Sequence, residues 1–158
     1  CMTKIIGNNM NIISSSSDEK EKIVIQRKDI NILIAEDVTH NIVLLIKMSE
    51  TFGYKNIDTA VDGEEAIKKL QHCQENKNQY DVLLLDLKMP KIDGFGVAEF
   101  LQKNNYQKPR IAVISASVLE DDKRRCQELG IKYFILKPIN MMHFKSVMQN
   151  LSIEYVDK

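Results

Sequence analysis

The chain has no tryptophan, only 6 glycines and 3 prolines in 158 residues, and no excess of either charge. Each shortage excludes something. So little Gly and Pro rules out a collagen-like repeat or a low-complexity body. Lys and Arg number 22, Asp and Glu also 22, which removes the broad field that draws proteins to nucleic acid or anionic membranes. No nucleic-acid partner is therefore expected. No apolar run approaches the roughly 20 residues of a membrane-spanning helix. The first residues, Cys1 to Ile13, lack the basic start, apolar block and small-residue cleavage site of a secretory leader. The cysteines Cys1, Cys73 and Cys126 are odd in number and widely spaced, matching neither a disulfide framework nor a metal-binding pair. Free thiols point to a reducing, cytoplasmic setting.

What remains is an ordinary globular composition, 44% hydrophobic and 28% charged, at a length that normally makes one domain. Residues 1–28 stand apart. Ser14 to Ser17 run into Asp18-Glu19-Lys20-Glu21-Lys22, a polar stretch expected to be a flexible leader or linker. Ile23-Val24-Ile25 could add a short strand. The domain proper is expected over 29–152, with 153–158 as a tail.

From Asn31 two periodicities alternate. Ile32-Leu33-Ile34-Ala35, Val82-Leu83-Leu84-Leu85, Ile111 to Ile114 and Tyr133 to Leu136 read as short strands rich in apolar residues, and Ile57 to Val61 as a second strand after the first. Between and after them come helical spacings: Val38, Ile42, Leu45, Ile46 and Phe52, closed by Gly53; Ala66, Ile67, Leu70 and Cys73, opened by Asp62; Gly94 to Lys103; Leu119 to Leu129; and Asn140 to Leu151. Alternating strands and helices mean an α/β fold with a parallel sheet covered on both faces. The chemistry of such sheets lies beyond the carboxyl ends of the strands.

Those ends are unusually polar. Strand one ends in Glu36-Asp37, strand three in Asp86, strand four in Ser115 and strand five in Lys137-Pro138. Any one acid could be a helix cap, but core packing does not ask for the whole set. Crowded carboxylates repel unless a cation compensates, and a hard divalent ion such as Mg²⁺ suits an open, oxygen-lined site. A carboxylate can then attack a phosphoryl group to give an aspartyl-phosphate, with the Lys137 ammonium and the Ser115 hydroxyl serving its oxygens.

Glu36-Asp37, the run Leu83-Leu84-Leu85-Asp86-Leu87-Lys88-Met89-Pro90 with Asp93-Gly94, Ser115-Ala116 and Lys137-Pro138 resemble the receiver domains of two-component response regulators. The resemblance covers about Ile30 to Leu151. It implies a flavodoxin-like, doubly wound five-stranded parallel sheet in the order 2-1-3-4-5. It implies Asp86 as phosphoacceptor from a histidine kinase or histidine phosphotransfer protein, and slow self-dephosphorylation. Asp37, Asp86 and the Lys88 carbonyl would hold Mg²⁺, or Mn²⁺ in its place, with Glu36 acting through water. Ser115 and Lys137 would hold the phosphoryl group, and Phe134 would be the side chain that turns inward with Ser115. Lys88 and Ser117, each two residues beyond a site residue, would govern the lifetime of the adduct.

Asn41 and the segment from Asp121-Asp122-Lys123-Arg124-Arg125-Cys126 to Lys137-Pro138-Ile139 look like receivers attached to hybrid histidine kinases, for which the Ser-rich leader would be a linker. A stand-alone regulator and a chemically silent pseudo-receiver are the alternatives. Output would pass through the face of the fourth helix, fifth strand and fifth helix, as a phosphorylation-dependent dimer. His40, His72 and His143 share no common setting and are expected to be ordinary surface or packing residues.

Overall fold

The computed structural model describes residues 2–5, 10–15 and 22–157. In chain order the elements are β1 (Met2–Ile5), β2 (Met10–Ser15), β3 (Lys22–Arg27), β4 (Asn31–Ala35), α1 (Thr39–Thr51), β5 (Asn56–Ala60), α2 (Gly63–Glu75), β6 (Val82–Asp86), α3 (Gly94–Lys103), β7 (Arg110–Ser115), α4 (Glu120–Glu128), β8 (Tyr133–Leu136), α5 (Met141–Leu151) and β9 (Ile153–Asp157). Strands β4 to β8 form a 5-stranded sheet in the order β5-β4-β6-β7-β8, all neighbours parallel. This is the expected 2-1-3-4-5 arrangement.

Successive side chains of a strand point to opposite faces, and the continuous apolar runs use both. Leu33, Ala35, Leu83, Leu85 and Val113 join Ala66 and Leu70 of α2, Phe95, Val97 and Leu101 of α3 and Cys126 of α4 in one core cluster. Ile32, Ile34, Val82, Leu84, Ala112, Ile114 and Ile135 turn the other way, to Leu45 and Met48 of α1 and Phe144, Val147 and Met148 of α5. A one-residue slip in any central strand would exchange the two sets, so register is strongly specified. Burying each such side chain contributes about 1.5–3 kcal/mol.

Polar side chains at the helix ends begin and end the helices where the sheet needs them. Asp62, Asp93 and Asn140 accept from the backbone N–H of Glu65, Gly96 and His143 at 2.7, 2.8 and 2.8 Å, satisfying donors the helix cannot. At the other end of α5, the Arg110 guanidinium donates to the Asn150 and Leu151 carbonyls at 3.2 and 3.3 Å.

The flanking segments differ from the expectation of a leader and a tail. β1, β2, β3 and β9 form a second, antiparallel sheet in the order β1-β2-β3-β9. Ile23-Val24-Ile25 lies inside β3 and pairs with Glu154 to Val156 of β9. Polarity alone misleads here, because a strand ladder is closed by backbone groups and Ile12-Ile13 and Ile23-Val24-Ile25 are β-branched. Ser14 and Ser15 fall in β2. Cys1, Ser16, Ser17 and the run Asp18 to Glu21 lie outside the described residues.

The second sheet is fastened to the first domain by buried polar groups. Arg27 N–H donates to the Ser152 carbonyl at 2.9 Å. The fully buried Tyr54 shares a hydrogen bond of 2.9 Å with the Ser152 hydroxyl, and Ser152 also donates to the Met148 carbonyl at 2.7 Å. Tyr54→Phe keeps the ring and removes the hydroxyl's bond to Ser152, while Ser152 keeps its carbonyl acceptor. The expected loss is about 1 kcal/mol, read as a lower urea midpoint with an unchanged slope; a midpoint equal to wild type would show that this tie adds nothing.

Candidate functional site

The strand order reverses between β4 and β6: the chain leaves β4 toward β5 and leaves β6 toward β7, on opposite sides. The resulting crevice at the carboxyl ends is where ligands bind in open α/β sheets. Glu36-Asp37 opens from β4 and Asp86 ends β6. One carboxylate oxygen from each of Glu36, Asp37 and Asp86 lies within 4.8 Å of the other two.

Their settings differ. Glu36 is 1% exposed. Its Oε1 accepts from the Val38 N–H at 3.1 Å and from the Asn41 side-chain amide at 3.4 Å. Its Oε2 sits 2.9 Å from Lys137 Nζ, a charge-assisted contact that holds the lysine against the acid. Burial pushes the Glu36 carboxyl above its ordinary range; Lys137 pulls it back and the Asp86 charge adds to the rise. Asp37, the outermost acid, is exposed.

Asp86 is buried at the end of the central strand. Its Oδ1 accepts from the Lys88 N–H at 3.0 Å and its Oδ2 from Lys137 Nζ at 3.0 Å. Lys137 thus bridges two carboxylates from different strands. Burial opposes its charge, but Glu36 and Asp86 outweigh that and hold the ammonium above its usual pKa. Three crowded acids against the one half-buried lysine leave uncompensated negative charge. Converging hard oxygen donors of this kind fit a hard divalent cation.

The chain belongs to the response regulator receiver domain family. The family model matches residues 32–149. Over 143 residues the chain is 35% identical to Histidine protein kinase 1 of Candida albicans, covering 87% of this chain and 5% of that protein. It is 32% identical to Hybrid signal transduction histidine kinase L of Dictyostelium discoideum over 75% of this chain and 7% of that one. The chain therefore spans only a small part of these kinases. Among solved structures, the CheX-CheY-BeF3-Mg+2 complex from Borrelia burgdorferi superposes with a TM-score of 0.65 at 31% identity, covering 78% of this chain and 87% of that one.

In this receiver, two expected site residues stand back from the acids. The Ser115 hydroxyl donates to the Ser117 carbonyl at 2.8 Å, so it is turned into its own loop. Lys88 is exposed, and its described contact with the site is through its backbone N–H. Phe134 is half-buried against the α2–α3–α4 core cluster. Its carbonyl lies 2.9 Å from His143 Nε2, so His143 ties α5 to β8, a contact that its position in the sequence does not signal. Asn41 enters the sequence pattern without a role, and the structure gives it one as a donor to Glu36. The only hint is its place one turn into the helix that follows the acid pair.

No helix among the described residues is long and apolar enough to cross a membrane. Lys123, Arg124 and Arg125 lie on an exposed face, where they pair with Glu120, Asp121 and Glu99.

The bridging lysine makes a testable pH signature. Because the Lys137 pKa is raised on folding, the stability it adds is complete below the ordinary lysine value of about 10.4 and is lost as pH climbs through the raised value. Lys137→Met should cost about 2 kcal/mol at neutral pH. The gap from wild type should then narrow as pH rises past that range, measured by urea unfolding at fixed salt. A gap independent of alkaline pH would exclude the charged bridge.

Proposed function

We propose that Asp86 accepts a phosphoryl group from a phosphohistidine, as a relay or switch in two-component signalling. The observation that carries this reading is the meeting, at the sheet's switch point, of Asp86 with Lys137 on one oxygen, the Lys88 N–H on the other, and Glu36 and Asp37 alongside. An Asp86 carboxylate oxygen attacks phosphorus; the new O–P bond forms as the donor's N–P bond breaks, and the electron pair returns to the imidazole nitrogen. Lys137 moves from bridging carboxylates to pairing with a phosphoryl oxygen, as a compact cation can. The Ser115 hydroxyl, released from the Ser117 carbonyl, turns to another.

Asp37, Asp86 and the Lys88 carbonyl would hold Mg²⁺, with Glu36 near it through water and Mn²⁺ able to substitute. The ion would supply charge neutralisation for the crowded acids and the incoming phosphoryl oxygens. Support comes from the convergence of the three carboxylates within 4.8 Å of one another and from the Mg²⁺ in the related Borrelia complex.

The donor is a histidine kinase or histidine phosphotransfer protein. Similarity to kinases of which this chain is a small part supports a hybrid histidine kinase as its parent, and we place its work in the cytoplasm. Phosphorylation adds about −1.5 to −2 charges, felt first by Ser115 and then by Phe134. The output face is a groove of about 420 Å³ lined by Ala116, Lys123, Phe134, Leu136 and His143. Exposed Leu136 and Met142 beside it suit a dimer formed on phosphorylation.

Two measurements test the reading. Incubated with acetyl phosphate, wild type should gain the mass of one base-labile phosphoryl group only when Mg²⁺ is present, and Asp86→Asn should gain none. Mg²⁺ should also raise the wild-type melting temperature, and Asp37→Ala should remove that rise. Full labelling of Asp86→Asn, or no labelling of wild type under any divalent ion, would reject the assignment, the latter favouring a silent receiver.

The lifetime of the adduct depends on who occupies water's line of approach. Lys88 and Ser117 flank it, and neither is an acid or amide suited to orienting water. Slow loss of label is therefore expected, and Lys88→Asn should shorten the lifetime several-fold, a barrier change of about 1 kcal/mol. A wild-type half-life of seconds, or a variant no faster than wild type, would rule out this role for Lys88.

A further inference from the structure

The loop from β6 to α3 carries Lys88 and must return almost to its start. The Gly94 N–H donates to the Leu87 carbonyl at 3.1 Å, and a Cβ on Gly94 would lie 2.4 Å from the Asp86 carbonyl oxygen. Between these closed ends the backbone turns at Lys91, whose φ is +67°. A residue with a side chain rarely holds that conformation unless its surroundings impose it.

Contacts from the start of α2 meet the loop at this turn. Lys91 Nζ lies 3.3 Å from Asp62 Oδ2 and 3.7 Å from Glu64 Oε2. Gly63 has no side chain to hold the two backbones apart: a Cβ there would fall 1.9 Å from the Ile92 carbonyl oxygen. Asp62 is itself pinned, because its other oxygen caps α2 through the Glu65 N–H. The same junction reaches the acid pair, since the Ala60 carbonyl, closing β5, accepts the Glu36 N–H at 3.0 Å. One short stretch, Ala60 to Gly63, therefore touches both walls of the crevice.

We propose that Lys91 and Asp62, meeting across the Gly63–Ile92 contact, are positioning residues that clamp the acceptor loop and so set the divalent-cation affinity of the site. This rests on the reading of Asp86 and the Lys88 carbonyl as cation ligands. The Lys91 side chain is 59% exposed, and ion pairs of that kind contribute little to folding. Breaking this one displaces the Lys88 end of the site while leaving the core intact. Asp62→Asn removes the charge and keeps a capping oxygen, which separates the clamp from the helix cap.

The test is a Mn²⁺ titration of the whole chain followed by water-proton relaxation, with melting temperatures of the metal-free proteins alongside. Lys91→Gln and Asp62→Asn should each weaken Mn²⁺ binding about three- to fivefold, with metal-free melting within about 2 °C of wild type. The double variant should be no weaker than either single one, because both remove the same contact. Lys91→Arg should bind like wild type. Wild-type affinity in Lys91→Gln, or losses that add in the double variant, would overturn the clamp while leaving the metal site standing. A wild type that binds no Mn²⁺, or an Asp37→Ala protein that binds as wild type does, would overturn the parent reading and the clamp with it.

Discussion

Everything at the carboxyl edge of this sheet follows from three carboxylates sharing a space fit for one or two. Lys137 reaches between Glu36 and Asp86, within 3.0 Å of each, and lets the strands that carry them lie side by side. The arrangement is stable but incomplete. Burial holds the Glu36 carboxyl above its usual range even with Lys137 against it. A site that folds with negative charge to spare is prepared for a cation, and then for the phosphoryl group the cation helps to neutralise. In the present arrangement Lys137 is committed to the acids, so its availability to a phosphoryl oxygen depends on what else neutralises them.

The sheet makes such a site affordable. Its central strands are buried on both faces, and the alternation of Leu33, Leu83 and Leu85 against Ile32, Ile34 and Leu84 locks their register from two sides. With the strands held, the residues just past their ends cannot retreat from one another. Gly63 and Gly94 extend that rigidity into the loops, because each lets one backbone approach another more closely than a side chain would permit. By contrast, Lys88 is exposed and Phe134 half-buried. The Ser115 hydroxyl is buried, but its hydrogen bond is to the Ser117 carbonyl of its own loop.

Strand positions, helix positions and the identity of the site acids were legible in the residues alone. Unbroken apolar runs such as Val82 to Leu85 admit few other readings, and Asp62, Asp93 and Asn140 announce helix starts through side chains suited to capping. Polar groups at the ends of four such runs marked the edge where chemistry would gather. The flanking strands were not legible in the same way, because side-chain polarity says little about a ladder of backbone hydrogen bonds and because β3 finds its partner β9 at the far end of the chain.

Distances between elements decided the remainder. No local pattern shows that Lys137 spans two acids, that Ser115 points into its own loop, that His143 meets the Phe134 carbonyl or that Lys91 reaches the start of α2. Each pairs residues remote in sequence or depends on a rotamer, and both are settled only when the sheet closes. Which residues arrive at the crevice follows from local periodicity, because that sets where the strands end. How their charges are shared depends instead on a few ångströms across strands that are neighbours in space alone.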